Sequence, residues 1–398
     1  MPVFAPVLVG AALLAFPGAG GGVLLRAEAD EPRGEVTRHV FYGGGYFDMD
    51  PVLYTGAVRT STPISVSRDG DMFFGFTVMG DTPIRLRSGV AKLCRSGEGG
   101  WLSAATACGD DTVTGVAYNC APALSLDERL LYVAVTRYDG TGYLIAAETD
   151  GLTPVSSVRL ADVKSGLDAR ISSDSSASPA VGRDGDVYFG VLENPFGTNN
   201  GRGWLLHFDR WLSEIRLPGA FGWDETASTV PAAAVRNYTG PSSYLLVSKY
   251  NNYLDFGGDG RNRMALLDPA TPAVDGVSGA VVMREVATIA SPTPEAGDAG
   301  SGAAVTEWCP NSVAVDAATA SAFMTNEDGK LYRWDLNANA FSAVVPLSRG
   351  AREAYTPTVV GVDEALYAIS GGTLFRVEGE PRLWPGGAGR GRPRGGDS

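Results

Sequence analysis

Ser178-Pro179-Ala180-Val181-Gly182-Arg183-Asp184-Gly185-Asp186-Val187-Tyr188-Phe189-Gly190 decides the fold. Two short apolar runs flank Asp184-Gly185, and an Asp-Gly pair supplies the positive φ angles of a tight hairpin turn. Its proline-led opening recurs, giving six prolines at Pro63, Pro122, Pro179, Pro231, Pro310 and Pro357, spaced 59, 57, 52, 79 and 47 residues apart. Periods of this size mark arrays whose unit is one small sheet. The first unit repeats the turn as Arg68-Asp69-Gly70-Asp71 before Met72–Phe76, the second uses Asp127-Glu128 before Leu130–Val135, and the sixth uses Asp363-Glu364 before Ala365–Ile369. A third strand ending at an acid follows in Trp204–Asp209, Arg263–Asp268 and Lys330–Asp335, and a fourth in Leu212–Leu217 and Phe341–Val345. Four short antiparallel strands per unit, six times over, predict an all-β propeller of six four-stranded blades spanning residues 34–380.

Closure of the ring needs a strand from the other terminus. The last unit has three strands, Thr358–Gly361, Leu366–Ile369 and Thr373–Val377, and the segment Gly34–Val58, with Val52-Leu53-Tyr54-Thr55, is expected to supply the fourth. Seven blades is the alternative, because the 79-residue step has room for a further half-blade. Leu254–Asn262 and Ser291–Ala304 are rich in Gly, Asp, Pro and Ala, which is loop chemistry and favours six.

The 398 residues carry a net charge of −13 and no basic stripe, which excludes nucleic acid and an anionic bilayer surface as expected partners. The apolar run Val3–Phe16, followed by Ala27-Glu28-Ala29, predicts an export signal over residues 1–29, with an uncleaved N-terminal anchor as the alternative. No membrane span is expected after its removal, and the expected location is secreted or periplasmic. Trp384–Ser398, a Gly/Arg-rich stretch, is expected to be a disordered tail. Four cysteines suit an exported chain with disulfides. Cys94 and Cys108 flank one short loop, and a bridge between them would add roughly 3 kcal/mol. Cys120 and Cys309 precede the repeated proline in the second and fifth units.

The repeat also locates a site. Loops leading into inner strands line one mouth of a propeller's central channel. Here they carry Asn119, Asp224, Glu225, Glu307, Trp308, Glu353 and Tyr355. Converging carboxylates and aromatic rings suit a small-molecule or protein ligand. The bland reading is that each caps a strand or turn by hydrogen bonding to backbone. Asp255, Asp259 and Asn262 have the oxygen density of a calcium loop, but Gly257 and Leu266 stand where that motif needs ligands, so a surface turn is the simpler reading. The chain has two histidines and neither a G-x-S-x-G elbow nor an H-E-x-x-H pair.

The stretches Ser178–Gly190 and Glu327–Asp335 resemble the repeats of bacterial quinoprotein-like propellers. Trp101–Ala104, Tyr118–Pro122, Gly203–Asp209, Lys249–Tyr253 and Glu307–Cys309 further resemble a group of exported bacterial propellers to which no activity is assigned. The resemblance covers about Thr60 to Glu378 and implies the fold. The superfamily includes quinone-dependent alcohol dehydrogenases, whose adjacent cysteines, catalytic aspartate and calcium site sit in the channel, and scaffolds without catalysis. No two cysteines are adjacent here, so none of those catalytic residues is carried over, and pyrroloquinoline quinone is not an expected cofactor. Calcium remains an ion that the channel carboxylates would suit. The expectation is a propeller that binds at its channel mouth without turning its ligand over. The alternative is an oxidoreductase of alcohols or sugars that uses the quinone and calcium.

Overall fold

The computed structural model describes residues 4–378 apart from 11, 30, 32, 172–176, 296–303 and 349–355. Seven sheets follow one another along the chain. Blade 1 is Val7–Val9, Leu13–Pro17, Val23–Arg26 and Val36–His39. Blade 2 runs from Val58 to Ser103 and blade 3 from Val113 to Arg159, each with a split inner strand. Blade 4 has three strands, Ala180–Val181, Val187–Val191 and Trp204–Phe208. Blade 5 is Ser228–Pro231, Tyr244–Tyr250, Arg263–Val274 and Val281–Ala290, and blade 6 is Ala314–Asp316, Ser321–Asn326, Lys330–Asp335 and Ala340–Pro346. Blade 7 is Val359–Val360, Leu366–Ser370 and Thr373–Val377.

The propeller is as expected, but it has seven blades rather than six. The additional blade does not come from the 79-residue step. That step is filled by blade 5, whose third and fourth strands form a long ribbon. The extra blade is built from residues 7–39, the region assigned above to a leader and to the start of a closing strand. Its apolar character is explained by burial: Val9, Ala15 and Val23 are wholly enclosed. The expected closing strand is not formed. Val36–His39 pairs with Val23–Arg26 of its own sheet, and Val52-Leu53-Tyr54-Thr55 lies in a helix, Pro51–Ala57. Helix wins there because the Asp50 side chain accepts from the Leu53 amide at 2.9 Å, and Pro51 has the φ that a first helical residue needs. No helix among the described residues is long and apolar enough to cross a membrane.

The turn chemistry is as expected. Gly70 and Gly185 take φ of 89° and 92°, and Ser67 and Gly182 each donate to the carbonyl of the Asp that closes the turn, at 2.9 and 2.7 Å. Glu128 and Glu364 occupy the equivalent left-handed position where no glycine stands. Residues one or two places before an inner strand also tie neighbouring blades together. The Ser178 hydroxyl accepts from the Ala121 amide at 2.9 Å, and the Ser178 amide donates to the Thr226 hydroxyl at 2.9 Å. The Thr226 amide donates to Asn311 O, and the Thr358 amide to Ser312 O.

All four cysteines are free, so the expected Cys94–Cys108 disulfide is not present. The reason is the hairpin between them. Leu93 pairs with Gly99 and Gly89 pairs with Ser103, so Cys94 lies at one end of this ladder and Cys108 beyond the other. Four residue steps of strand separate the two ends by about 13 Å, well past the ~7 Å Cα limit for a bridge. Burial pushes the buried Cys120 thiol up to about 12.

Candidate ligand site at the channel mouth

Antiparallel strands place two kinds of loop on one face: those leading into inner strands, and those joining second to third strands. In blades 4 and 5 the joining loops are 192–203 and 251–262, and the lead-in segments of blades 5 and 6 carry Trp223–Thr226 and Glu307–Cys309. They meet around a cavity of about 430 Å³. Leu192, Phe196 and Gly201 come from blade 4, Trp223, Asp224, Lys249, Tyr253 and Phe256 from blade 5, and Glu307, Trp308 and Cys309 from blade 6.

Both joining loops are held by buried polar groups. The Glu193 carboxylate, fully enclosed, accepts from the amides of Gly197, Gly201 and Gly203 at 3.1, 2.6 and 2.7 Å. A carboxylate ringed by backbone donors fixes a loop that its own sequence would leave loose. Arg202, also buried, donates to the Asn199 side chain at 2.7 Å and to Asp275 at 2.6 Å. Asp275 lies between the long strands of blade 5, so this ion pair pins that ribbon to the blade 4 loop. The Arg202 carbonyl accepts from Gly222 and Trp223, which joins the loop to the blade 5 lead-in.

The blade 5 loop is braced in the same way. Asn252 donates through its amide to Asn262 Oδ1 at 3.0 Å and through Nδ2 to Asp259 at 2.8 Å, while its Oδ1 accepts from Asn200 of blade 4. Asn251 exchanges two hydrogen bonds with the Trp308 backbone, at 3.0 and 3.3 Å.

At the cavity's inner wall stand Lys249 and, behind it, Glu225. The Lys249 ammonium donates to Asp224 O at 2.8 Å and lies 5.8 Å from the Phe221 ring centroid. Glu225 accepts from the Ser248 hydroxyl and the Lys249 amide. Burial pushes its carboxyl up to about 7, with the Lys249 charge and the hydrogen bonds pulling the other way. Aromatic rings form the outer wall. Phe196 and Phe256 are 47% and 44% exposed and meet edge-to-face at 4.9 Å, with Tyr253 6.2 Å beyond.

Asp224, Glu225, Glu307 and Trp308 are therefore brought to one mouth. Two of them play other parts than a ligand contact. Glu225 is a buried strut. Trp308 touches the cavity but is wholly enclosed, its ring edge-on to Tyr332 at 5.3 Å. Asn119 is elsewhere: with φ of 63° it donates its amide to Ser61 O, so it joins blades 2 and 3. Glu353 and Tyr355 lie outside the described residues. Asp259 and Asn262 brace the loop, and Asp259 is paired with Arg263 at 3.0 Å. Asp255 is the middle residue of a short 3-10 turn, Leu254–Phe256. His207 is packed, between Asp186 and Leu217 O.

Sequence reasoning used Lys249–Tyr253 only as one of the stretches that carry the resemblance. It missed Glu193, Arg202 and Phe196, whose roles depend on loops of blade 4. Among the described residues, one group of ionisable side chains has donor atoms close enough to share a metal: Glu307, Cys309 and Glu327, all within 4.8 Å of one another. Calcium takes six to eight oxygens, so a thiol with two carboxylates suits a zinc-type ion better.

No protein-family model matches the sequence, and no curated protein matches it. Solved structures do. A europium-containing methanol dehydrogenase aligns over 91% of this chain and 72% of its own, at 10% identity and a TM-score of 0.53. Sqt1 of Saccharomyces cerevisiae aligns over 92% and 79%, at 9% identity and 0.52. The quinohemoprotein alcohol dehydrogenase of Comamonas testosteroni aligns over 92% of this chain and 64% of its own, at 9% identity and 0.53. At identities this low the likeness shows the fold alone, a β-propeller. Fold alone does not carry activity.

Proposed function

We propose that this protein binds a small molecule at the mouth of its propeller, in the cavity between blades 4, 5 and 6, as a binding protein and not as an enzyme. The observation that carries this reading is a buried lysine facing an aromatic-walled cavity whose loops are fixed by buried carboxylate and guanidinium braces. A fixed concavity with apolar walls and a few convergent polar groups is the usual form of a small-molecule site. Its volume lies within the roughly 300–1,000 Å³ of such sites. The alternative of quinone-dependent oxidation has support in the shared fold with alcohol dehydrogenases and in nothing at the cavity itself.

The test is a thermal-shift and tryptophan-fluorescence screen of the full chain against neutral sugars, carboxylic acids, amines, and pyrroloquinoline quinone with calcium. The proposal expects one chemical class to bind, with at least a fivefold loss of affinity in a Phe196→Ala/Phe256→Ala double variant. Both rings are half exposed, so that variant keeps the fold. Binding that ignores the double variant would overturn the proposal, as would dye-coupled alcohol oxidation in the presence of the quinone.

A further inference from the structure

We infer that the ligand of this cavity is an apolar monocarboxylate, a small acid whose carboxylate meets Lys249 at the inner wall and whose hydrocarbon body lies on the rings at the mouth. The inference rests on the reading above and names its ligand class. Lys249 belongs to the second strand of blade 5, Tyr244–Tyr250, and is 2% exposed. An ammonium carries three N–H donors. Among the described residues this one has a single acceptor, the Asp224 carbonyl at 2.8 Å, and no carboxylate forms an ion pair with it. Glu225 stands behind it and accepts from the Lys249 backbone amide. Burial pushes that carboxyl up to about 7, so near neutral pH it supplies only part of a counter-charge. A buried cation without a full partner is costly, and a ligand that brings both acceptor atoms and negative charge relieves that cost.

The number of charges follows from the lining. Lys249 is the one cation there among the described residues. Asp224 and Glu307 line the same cavity and are each engaged by other groups of the protein. The two N–H groups that Lys249 has left match the two oxygens of one carboxylate, and charge-assisted hydrogen bonds are roughly twice as strong as neutral ones. A phosphate or a polycarboxylate would bring more charge than one lysine neutralises. An amine would face Lys249 as a like charge. A neutral amide can accept from the lysine, but it leaves the charge uncompensated.

The rest of the wall sets the body. Leu192, Phe196, Trp223, Tyr253 and Phe256 surround the space with apolar and aromatic surface. Hydrocarbon buried against them contributes about 25 cal/mol per Å². A body as small as the methyl group of acetate covers little of that wall, whereas an arylalkyl or branched body covers much of it.

The experiment is calorimetric and fluorescence titration of the full chain with phenylacetate, isovalerate and acetate. Phenylacetamide serves as the neutral isostere, phenethylamine as the cation and glucose as the neutral polyol. Phenylacetate and isovalerate should bind more tightly than acetate. Phenylacetamide should bind at least about tenfold more weakly than phenylacetate, the loss expected for one charge-assisted contact. Lys249→Met keeps the aliphatic stem and removes the donors, and it should weaken phenylacetate binding by a similar factor. Should that variant lose its cooperative thermal transition, the comparison of acid and amide on the wild-type protein decides. Equal affinity for the two would overturn the carboxylate assignment, as would phenylacetate binding that survives Lys249→Met in a folded variant. Binding of the amine or of glucose in place of the acids, sensitive to the Phe196→Ala/Phe256→Ala double variant, would also overturn it and leave the pocket standing. Silence from every class would overturn both.

Discussion

The two faces of this propeller use the same strands and differ in their loops. On one face the first-to-second-strand turns are minimal: Ser67–Asp71 and Gly182–Asp186 close with backbone hydrogen bonds and one positive-φ glycine each. On the other face, loops 192–203 and 251–262 are long and hold Glu193, Arg202, Asn199, Asn251 and Asn252 in the interior. Burying such groups costs free energy unless every one is partnered. The partners are found across blades: Arg202 with Asp275, Asn252 with Asn200, Asn251 with Trp308. Polar burial is thus concentrated where loops must be held in a fixed shape around a cavity. It is sparse where a turn merely connects strands: of Ser67–Asp71 and Gly182–Asp186, only Asp186 buries a charged side chain.

The largest expected effect comes from cutting one of those cross-blade ties. Asp275→Ala leaves the Arg202 charge buried and unpaired, which costs about 3–5 kcal/mol. Urea unfolding should show that loss, and ligand affinity should fall with it because the blade 4 loop loses its anchor. A change below about 1 kcal/mol would mean that the ribbon does not position the loop.

Next in size is a pH dependence. The Glu225 carboxyl titrates near 7 in the fold and at 4.5 in its reference state. The folded protein therefore holds the proton more tightly. Its stabilising contribution is complete below pH 4.5 and is lost as pH rises through 7. The shift corresponds to roughly 3 kcal/mol. Glu225→Gln keeps the shape and removes the titration, so wild type should lose stability relative to this variant between pH 4.5 and 7.5. Parallel stability curves over that range would contradict the assignment. A connecting turn should behave differently. Gly185→Ala forces a side chain into φ of 92°, costing about 1–2 kcal/mol, while ligand affinity stays unchanged.

What the sequence disclosed follows the same division. The Asp184-Gly185 and Asp69-Gly70 turns, and the strands they join, were legible because their cause is local. The blade count was not. Residues 7–26 are apolar for the same reason that a leader is apolar, and only their pairing distinguishes a buried strand from an export signal. N-terminal sequencing of the folded protein sharpens this point: a chain that retains residues 4–29 keeps blade 1 whole, and a chain starting at Asp30 would lack three of its strands. At the mouth, position in the repeat pointed to Asp224 and Glu307, which line the cavity. It could not show that Glu225 is a buried strut, or that Trp308, though it lines the cavity, is wholly enclosed. Nor could it find Phe196, because a loop's path depends on braces that lie far away in sequence, Asp275 above all.

Hydrogen exchange of the full chain, with and without the tightest-binding compound of the screen, tests the central claim most directly. The account predicts added protection in 192–203, 251–262 and 304–309, and none in 67–71 or 182–186. Protection confined to the connecting turns, or to blades 1 to 3, would contradict it.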